Sequence, residues 1–217
     1  MSAQKDWIDI KEGEGYPLQQ FVLPSHYKED LESVMIPYGL IRDRVGKLAH
    51  DIAQNSTKPL VACCVLKGAH VFFAHLMEDL KKLRRPNGES IPLSFEFIKV
   101  KSYINEQSTG DVKISLSEED MQGFKGKDLL IVEDIIDTGN TMVALIKKLK
   151  NYEPASIRVV SLLLKKTPHS NGYIPDYVGF SIPDLFVVGY ALDYNENFRD
   201  LDHICVINEH GKAHYAV

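Results

Sequence analysis

Two neighbouring carboxylates, Glu133 and Asp134, follow the apolar run Leu129-Leu130-Ile131-Val132 and precede Asp137-Thr138-Gly139-Asn140-Thr141. The apolar run reads as a short buried strand with the acids at its C-terminal end, and Met142–Leu149 has the apolar periodicity of a helix. Open α/β sheets bind ligands outside the carboxyl ends of their strands, where a strand turns into a helix. Successive side chains of a strand point to opposite faces, so both acids can face one crevice only if the chain turns there. A carboxylate accepts strongly from vicinal sugar hydroxyls. One or two carboxylates, together with substrate phosphates, also suit Mg²⁺. Thr138 to Thr141 opens the helix with free backbone N–H groups, two hydroxyls and a glycine that permits close approach, which suits an anion. An N-cap role for Asp137 or Thr138 accounts for one residue, but not for the two acids, the glycine and the second threonine beside it. The segment suits a ligand that carries both a sugar and a phosphate.

Other chemistries are excluded or weakened. No G-x-x-x-x-G-K-[ST] stretch occurs, and no G-x-G-x-x-G follows a strand, which argues against a P-loop and a dinucleotide site. The formal net charge of −5 gives no global basic field for nucleic acid. Cys63, Cys64 and Cys205 are few and odd in number, which fits reduced core cysteine in a cytoplasmic protein rather than a disulfide framework. His210 and His214 stand four apart, but no Cys or further His nearby completes a metal-ligand set, so no metal is assigned to them. The N-terminus lacks the apolar core of a signal peptide, and no apolar run approaches the ~18 residues of a membrane span.

The elements that must position this chemistry can be read from periodicity. The chain of 217 residues is expected to form one domain. Residues 1–25, punctuated by Gly13, Gly15, Pro17 and Pro24, read as an irregular arm. Ile41 to Ile52 fits a helix with Ile41, Val45, Leu48 and Ile52 on one face. Leu60 to Leu66 is a continuous apolar run, as in a central parallel strand. A helix over about residues 71–83 follows, then strands at Ser94–Lys99, Ile157–Leu164, Tyr177–Phe180, Phe186–Gly189 and Ile204–Ile207. Strands alternating with helices predict an α/β fold with a mostly parallel sheet flanked by helices. From Lys101 to Lys127 the pattern lapses, and a connection that long is usually a lid.

The apolar-four, Glu-Asp, apolar-two, Asp-Thr-Gly-x-Thr pattern resembles the phosphoribosyl-pyrophosphate motif of type I phosphoribosyltransferases. The resemblance, from Phe21 onward, is to their hypoxanthine-guanine branch. It is carried by Val65-Leu66-Lys67-Gly68, Val100-Lys101-Ser102-Tyr103, Gln107–Asp111, Ser161–Lys165, Phe186–Asn195 and Phe198-Arg199-Asp200-Leu201. It implies a core over about 35–165, a small hood over the C-terminal strand ends from the N-terminal arm and about 166–217, and a mobile lid over about 101–127. The implied reaction moves ribose 5-phosphate from phosphoribosyl pyrophosphate to hypoxanthine or guanine and releases pyrophosphate, with Mg²⁺ as cofactor. The implied assembly is a homodimer or homotetramer, with neither nucleic acid nor membrane as partner.

The resemblance also implies roles. Glu133 and Asp134 would hold the ribose hydroxyls, partly through Mg²⁺, with Ile135 and Ile136 beside them. Asp137 would be the catalytic acid or base at purine N7, and Thr138, Gly139, Asn140 and Thr141 would cradle the 5′-phosphate. Lys67 and Gly68 would form a pyrophosphate loop containing a cis peptide bond. Lys165 would donate to the purine 6-oxygen, Phe186 would stack on the base, the Val187 backbone would read its edge, and Leu185 would also bind substrate. Asp193 would ligate a second Mg²⁺, Arg199 and Lys99 would reach pyrophosphate, and Ser102 and Tyr103 would ride on the lid. Three positions depart from the family pattern. Ala69 stands where a second Gly is usual, and is strained if that position needs a positive φ. Lys99 replaces an Arg, keeping charge but losing the bidentate fork. Asn140 replaces a basic residue. The alternative is a catalytically weak relative that binds purine nucleotides; in such relatives a Gly replaces the motif acid, whereas Asp137 is present here.

Overall fold

The computed structural model describes residues 6–102 and 112–217. Its frame is a seven-stranded sheet of β1 (Ile8–Asp9), β3 (Leu60–Leu66), β4 (Leu93–Ser102), β5 (Val112–Ile114), β6 (Asp128–Ile136), β7 (Ser156–Lys166) and β8 (Tyr177–Pro183), in the order β1-β8-β7-β6-β3-β4-β5. All neighbours run parallel except β5, which returns antiparallel to β4. A second, antiparallel sheet of β2 (Leu31–Ile36), β10 (Ile204–Ile207) and β9 (Val187–Val188) forms the hood.

The continuous apolar runs of β3 and β6 are explained by burial on both faces. Ala62, Cys64, Leu130 and Val132 pack under α1 (Tyr38–Gln54) and α2 (His70–Leu80), against Ile41, Val45, Leu48, Ile52, Phe72 and Leu76. Val61, Cys63, Leu129 and Ile131 face the other way, toward Met142, Leu145 and Leu149 of α4 (Asn140–Lys150). Cys63 and Cys64 therefore lie in separate clusters, both as free thiols that burial pushes up to about 12.

Several expectations change. The irregular arm contributes β1, and β8 follows β7 into the large sheet, so the core extends past residue 165. β2 was not expected at all. The segment 101–127 is structured after residue 111: it holds β5 and α3 (Glu118–Gln122), and Met121 and Phe124 are buried in the second cluster. The proposed tip of the lid, with Tyr103 and Gln107–Asp111, lies outside the described residues. α5 (Glu209–His214) ends the chain's regular structure. Among the described residues no helix is long and apolar enough to cross a membrane.

Leu145 is fully buried between α4 and the sheet. Leu145→Ala is expected to cost about 2–5 kcal/mol of stability through lost transfer energy and the cavity left behind. Urea unfolding with an unchanged midpoint would show that α4 does not depend on this contact.

Candidate functional site

Three loops converge where β3, β6 and β7, neighbours in the sheet, reach their C-terminal ends. After β3 the Leu66–Lys67 peptide bond is cis. Ala69 has φ −74° and ψ −6° and is buried, so the condition for strain at this position is not met. Gly68 is required for a different reason. A Cβ there would lie 1.6 Å from Asp134 Oδ2, so the loop can rest on that carboxylate only without a side chain.

β6 does not end at the acids; it runs on to Ile136 and pairs with β7 through Leu164. What changes is the alternation. Leu130, Val132 and Ile135 face one cluster, while Leu129, Ile131 and Ile136 face the other, so the side-chain parity inverts across Glu133 and Asp134. Glu133 is 9% exposed, and its Oε1 accepts from the Asp134 N–H at 3.3 Å; Asp134 Oδ1 accepts from the Ile135 N–H at 2.8 Å. Burial raises both carboxyls. Glu133 is pushed well above the usual carboxylate range, with the Asp134 charge adding to the effect. For Asp134, hydrogen bonds and the Arg199 charge oppose burial.

Past β6, Gly139 (φ +84°) is the residue that caps α4, and no side chain caps the helix. Neither Asp137 nor Thr138 is the N-cap residue; Thr138 Oγ1 accepts weakly from the Asn140 N–H at 3.4 Å, and the remaining first-turn amides of α4 keep their capacity for an anion. The loop is braced from outside: the Asn171 N–H donates to the Thr138 carbonyl at 2.9 Å and Asn171 Nδ2 to Asn140 Oδ1 at 3.0 Å. Thr141 is exposed at the start of the helix. At the end of β7, Lys165 Nζ lies 3.1 Å from Asp137 Oδ2 and 4.0 Å from Asp184 Oδ1, with only 11% of its side chain exposed.

The hood supplies the opposite wall. Leu185 is half-buried, Phe186 is 42% exposed with its ring edge-on to Tyr194 at 5.2 Å, and Val187 is buried in β9. Arg199 pairs with Asp193 at 2.8 Å and with Glu196 at 3.2 Å, and Lys67 reaches Glu196 at 2.9 Å. Lys99 is exposed on β4, in register with Leu66, so it stands beside the Lys67 loop. Ser102 ends β4 opposite Val112. Sequence reasoning missed Glu196, Asp184 and Asn171. Glu196 had a faint signal, an acid three residues before Arg199; Asn171 had none. Glu133 and Asp134, an oxygen-only pair short of compensating charge, would suit a hard divalent cation such as Mg²⁺, while Asp193 stands apart from them, paired with Arg199.

The sequence model of the family described as "Phosphoribosyl transferase domain" matches residues 38–195. The chain belongs to the phosphoribosyltransferase family. It is 53% identical to the hypoxanthine-guanine phosphoribosyltransferase of Bos taurus and 52% identical to that of Homo sapiens, over 99% of each chain. Its fold matches the crystal structure of the hypoxanthine-guanine phosphoribosyltransferase of Schistosoma mansoni in complex with IMP, at a TM-score of 0.80 and 40% identity, covering 97% of this chain and 100% of that one. The parallel sheet with its antiparallel hood is thus the type I phosphoribosyltransferase fold.

Gly68→Ala tests the loop contact. The added methyl group must displace Asp134 or the loop, and a shift of this kind in a phosphoribosyltransferase site is expected to lower turnover about a hundredfold while the fold persists. Activity at the parent level would show that Asp134 can move without consequence.

Proposed function

We propose that this chain transfers ribose 5-phosphate from phosphoribosyl pyrophosphate to N9 of hypoxanthine or guanine, giving inosinate or guanylate and pyrophosphate, a purine-salvage reaction. The observation that carries this reading is the likeness along the full chain to relatives named for these two bases, at 52–53% identity. The geometry supports it. A free oxopurine with its imidazole proton on N7 presents an acceptor, O6, beside a donor, N7–H, on one edge and leaves N9 unprotonated as the nucleophile, and Lys165 and Asp137 stand as a matching donor and carboxylate acceptor 3.1 Å apart. Lys165 donates to O6. Asp137 takes the N7 proton while N9 bonds to the anomeric carbon. The bond from that carbon to pyrophosphate breaks, and its electron pair leaves with pyrophosphate.

The buried acids accept from the ribose hydroxyls, and the uncapped start of α4 with Thr138 and Thr141 receives the 5′-phosphate. Phe186 stacks on the base between Leu185 and Val187. Lys67, Lys99 and Arg199 receive pyrophosphate. Glu133 and Asp134 would hold one Mg²⁺ and Asp193 a second, and the ions would supply charge neutralisation for the leaving group. Ser102 and Tyr103 belong to a lid that excludes water from the sugar cation. A homodimer or homotetramer is part of the proposal, supported by Phe95 and Phe97, which are 49% and 52% exposed on β4. So is a cytoplasmic location, which suits three free cysteines.

Formation of inosinate from hypoxanthine, with and without Mg²⁺, is the direct test; no product under either condition would end the proposal. Asp137→Asn is expected to lower kcat by about 10²–10⁴-fold with little effect on phosphoribosyl pyrophosphate binding, as for loss of a general base. Full turnover by that variant would remove Asp137 from proton transfer. Lys165→Gln should weaken kcat/KM for hypoxanthine by about 10–100-fold, the worth of a charged hydrogen bond, without making adenine a substrate. Use of adenine by the parent enzyme would contradict the role given to Lys165, because a lysine only donates.

A further inference from the structure

The histidine pair that lacked a third ligand in the sequence acquires one in the fold. Asp30, at the entry to β2, is 1% exposed. Its Oδ1 faces two imidazoles one turn apart on α5: His210 Nδ1 at 3.0 Å and His214 Nδ1 at 3.1 Å. One ligand atom from each of the three residues lies within 4.8 Å of the other two, and among the described residues no other trio of His, Cys, Asp or Glu does so. None of the three belongs to the phosphoribosyl site.

The cluster is built rather than incidental. Asn208 anchors both sides of Asp30: its N–H donates to the Asp30 carbonyl at 3.0 Å, and its Nδ2 donates to the carbonyls of Glu29 at 2.9 Å and Leu31 at 3.2 Å. Its Oδ1 caps α5 by accepting from the Gly211 N–H at 2.8 Å. A Cβ on Gly211 would lie 2.4 Å from the Asp30 carbonyl oxygen, so the glycine lets α5 seat directly on the aspartate. The Tyr215 hydroxyl also bonds the Asp30 side chain, as an outer partner of the carboxylate.

We propose that Asp30, His210 and His214 bind a zinc-class divalent ion, with water as the fourth ligand, clamping the C-terminal helix to the start of β2. The donor set of two imidazoles and one carboxylate suits zinc and its borderline neighbours and not Mg²⁺. Tetrahedral zinc with bonds near 2.0–2.1 Å places neighbouring ligand atoms about 3.3 Å apart, and the two nitrogen–oxygen separations here are 3.0 and 3.1 Å. The ion would replace the two Nδ1 protons that now point at one oxygen. The protons would move to the Nε2 atoms or to solvent. The aspartate side chain is 2% exposed but the imidazoles are 62% and 55% exposed, so entry and the water position lie on the solvent side.

The test is calorimetric titration of the full chain with Zn²⁺ at about pH 8, where imidazoles are ordinarily neutral, with excess Mg²⁺ to hold the phosphoribosyl site. The comparison is the variant His210→Gln/His214→Gln. Both side chains are more than half exposed, so the variant should fold and keep Mg²⁺-dependent activity. The parent should bind one zinc ion that the variant binds at least about a hundredfold more weakly. With free zinc a hundredfold above the dissociation constant, the unfolding midpoint of the parent should rise by about 5–10 °C, with no rise for the variant. Equal zinc affinity in the two proteins, an equal thermal shift, or no zinc binding by the parent would overturn the proposal.

Discussion

Two carboxylates buried side by side on the central strand set the terms for the rest of this molecule. Burying an ionised acid is costly unless a partner compensates it. Among the described residues the partners are backbone N–H groups, a side-chain hydrogen bond between the two acids themselves, and the more distant Arg199 charge. A cation and a pair of sugar hydroxyls would supply what is missing, so the site is shaped for a ligand and not for its own repose. The burial is imposed by sheet order. β6 lies between β3 and β7, so whatever sits near its C-terminal end is walled on both sides. The loops after the same three strands meet there, which brings Gly68, Asp134, Thr138 and Lys165 to one edge although they span almost a hundred residues of sequence.

The cations of the site are arranged on a different principle. Lys67, Arg199 and Lys165 are each held by a carboxylate, Glu196, Asp193 or Asp137. The Lys67–Glu196 pair is largely exposed, at 57% and 64%, and exposed pairs of this kind contribute little. Such a pair keeps a flexible side chain in place and is displaced at little cost. The buried acids are left short of charge and Lys67 is lightly satisfied, whereas Arg199 and Lys165, 22% and 11% exposed, are held more firmly.

What could be read from the sequence follows from what is local. β3 and β7, buried on both faces, are continuous apolar runs, and α1 and α4 carry their stripes at helical spacing. β6 was read too short, because a strand interrupted by two acids has no apolar signature; it persists through them only because β7 pairs alongside. β2 mixes Glu32 and Ser33 with apolar residues and is a strand because β10, distant in sequence, pairs with it. β1 has two residues and exists only against β8. The strain expected at Ala69 depended on a backbone angle that residue types do not specify. The acid pair and the Asp137–Thr141 turn could be singled out because their residue types stand consecutively, whereas Lys165 stood out only through the resemblance to the family. Glu196 and Asp30 were not singled out, since each acts on partners brought to it by folding.

The loop that carries Asp193 and Arg199 depends on the hood. Tyr190, Ala191, Asn195, Glu196 and Phe198 all have positive φ, and among the described non-glycine residues only Glu153, elsewhere in the chain, does the same. Such backbone conformations cost on the order of 1–3 kcal/mol each and persist only where surroundings over-determine them. The surroundings are specific. Phe198 is fully buried, with Tyr27 at 4.4 Å and Tyr215 at 4.9 Å. The Tyr27 hydroxyl accepts from the Phe198 N–H at 3.1 Å and donates to Asp200 at 3.0 Å. Asn195 Nδ2 donates to the Tyr215 carbonyl at 2.7 Å. The aromatic trio thus fixes from behind a strained turn that carries Asp193, Glu196 and Arg199. The hood's hydrophobic cluster therefore fixes the loop that presents Asp193 and Arg199.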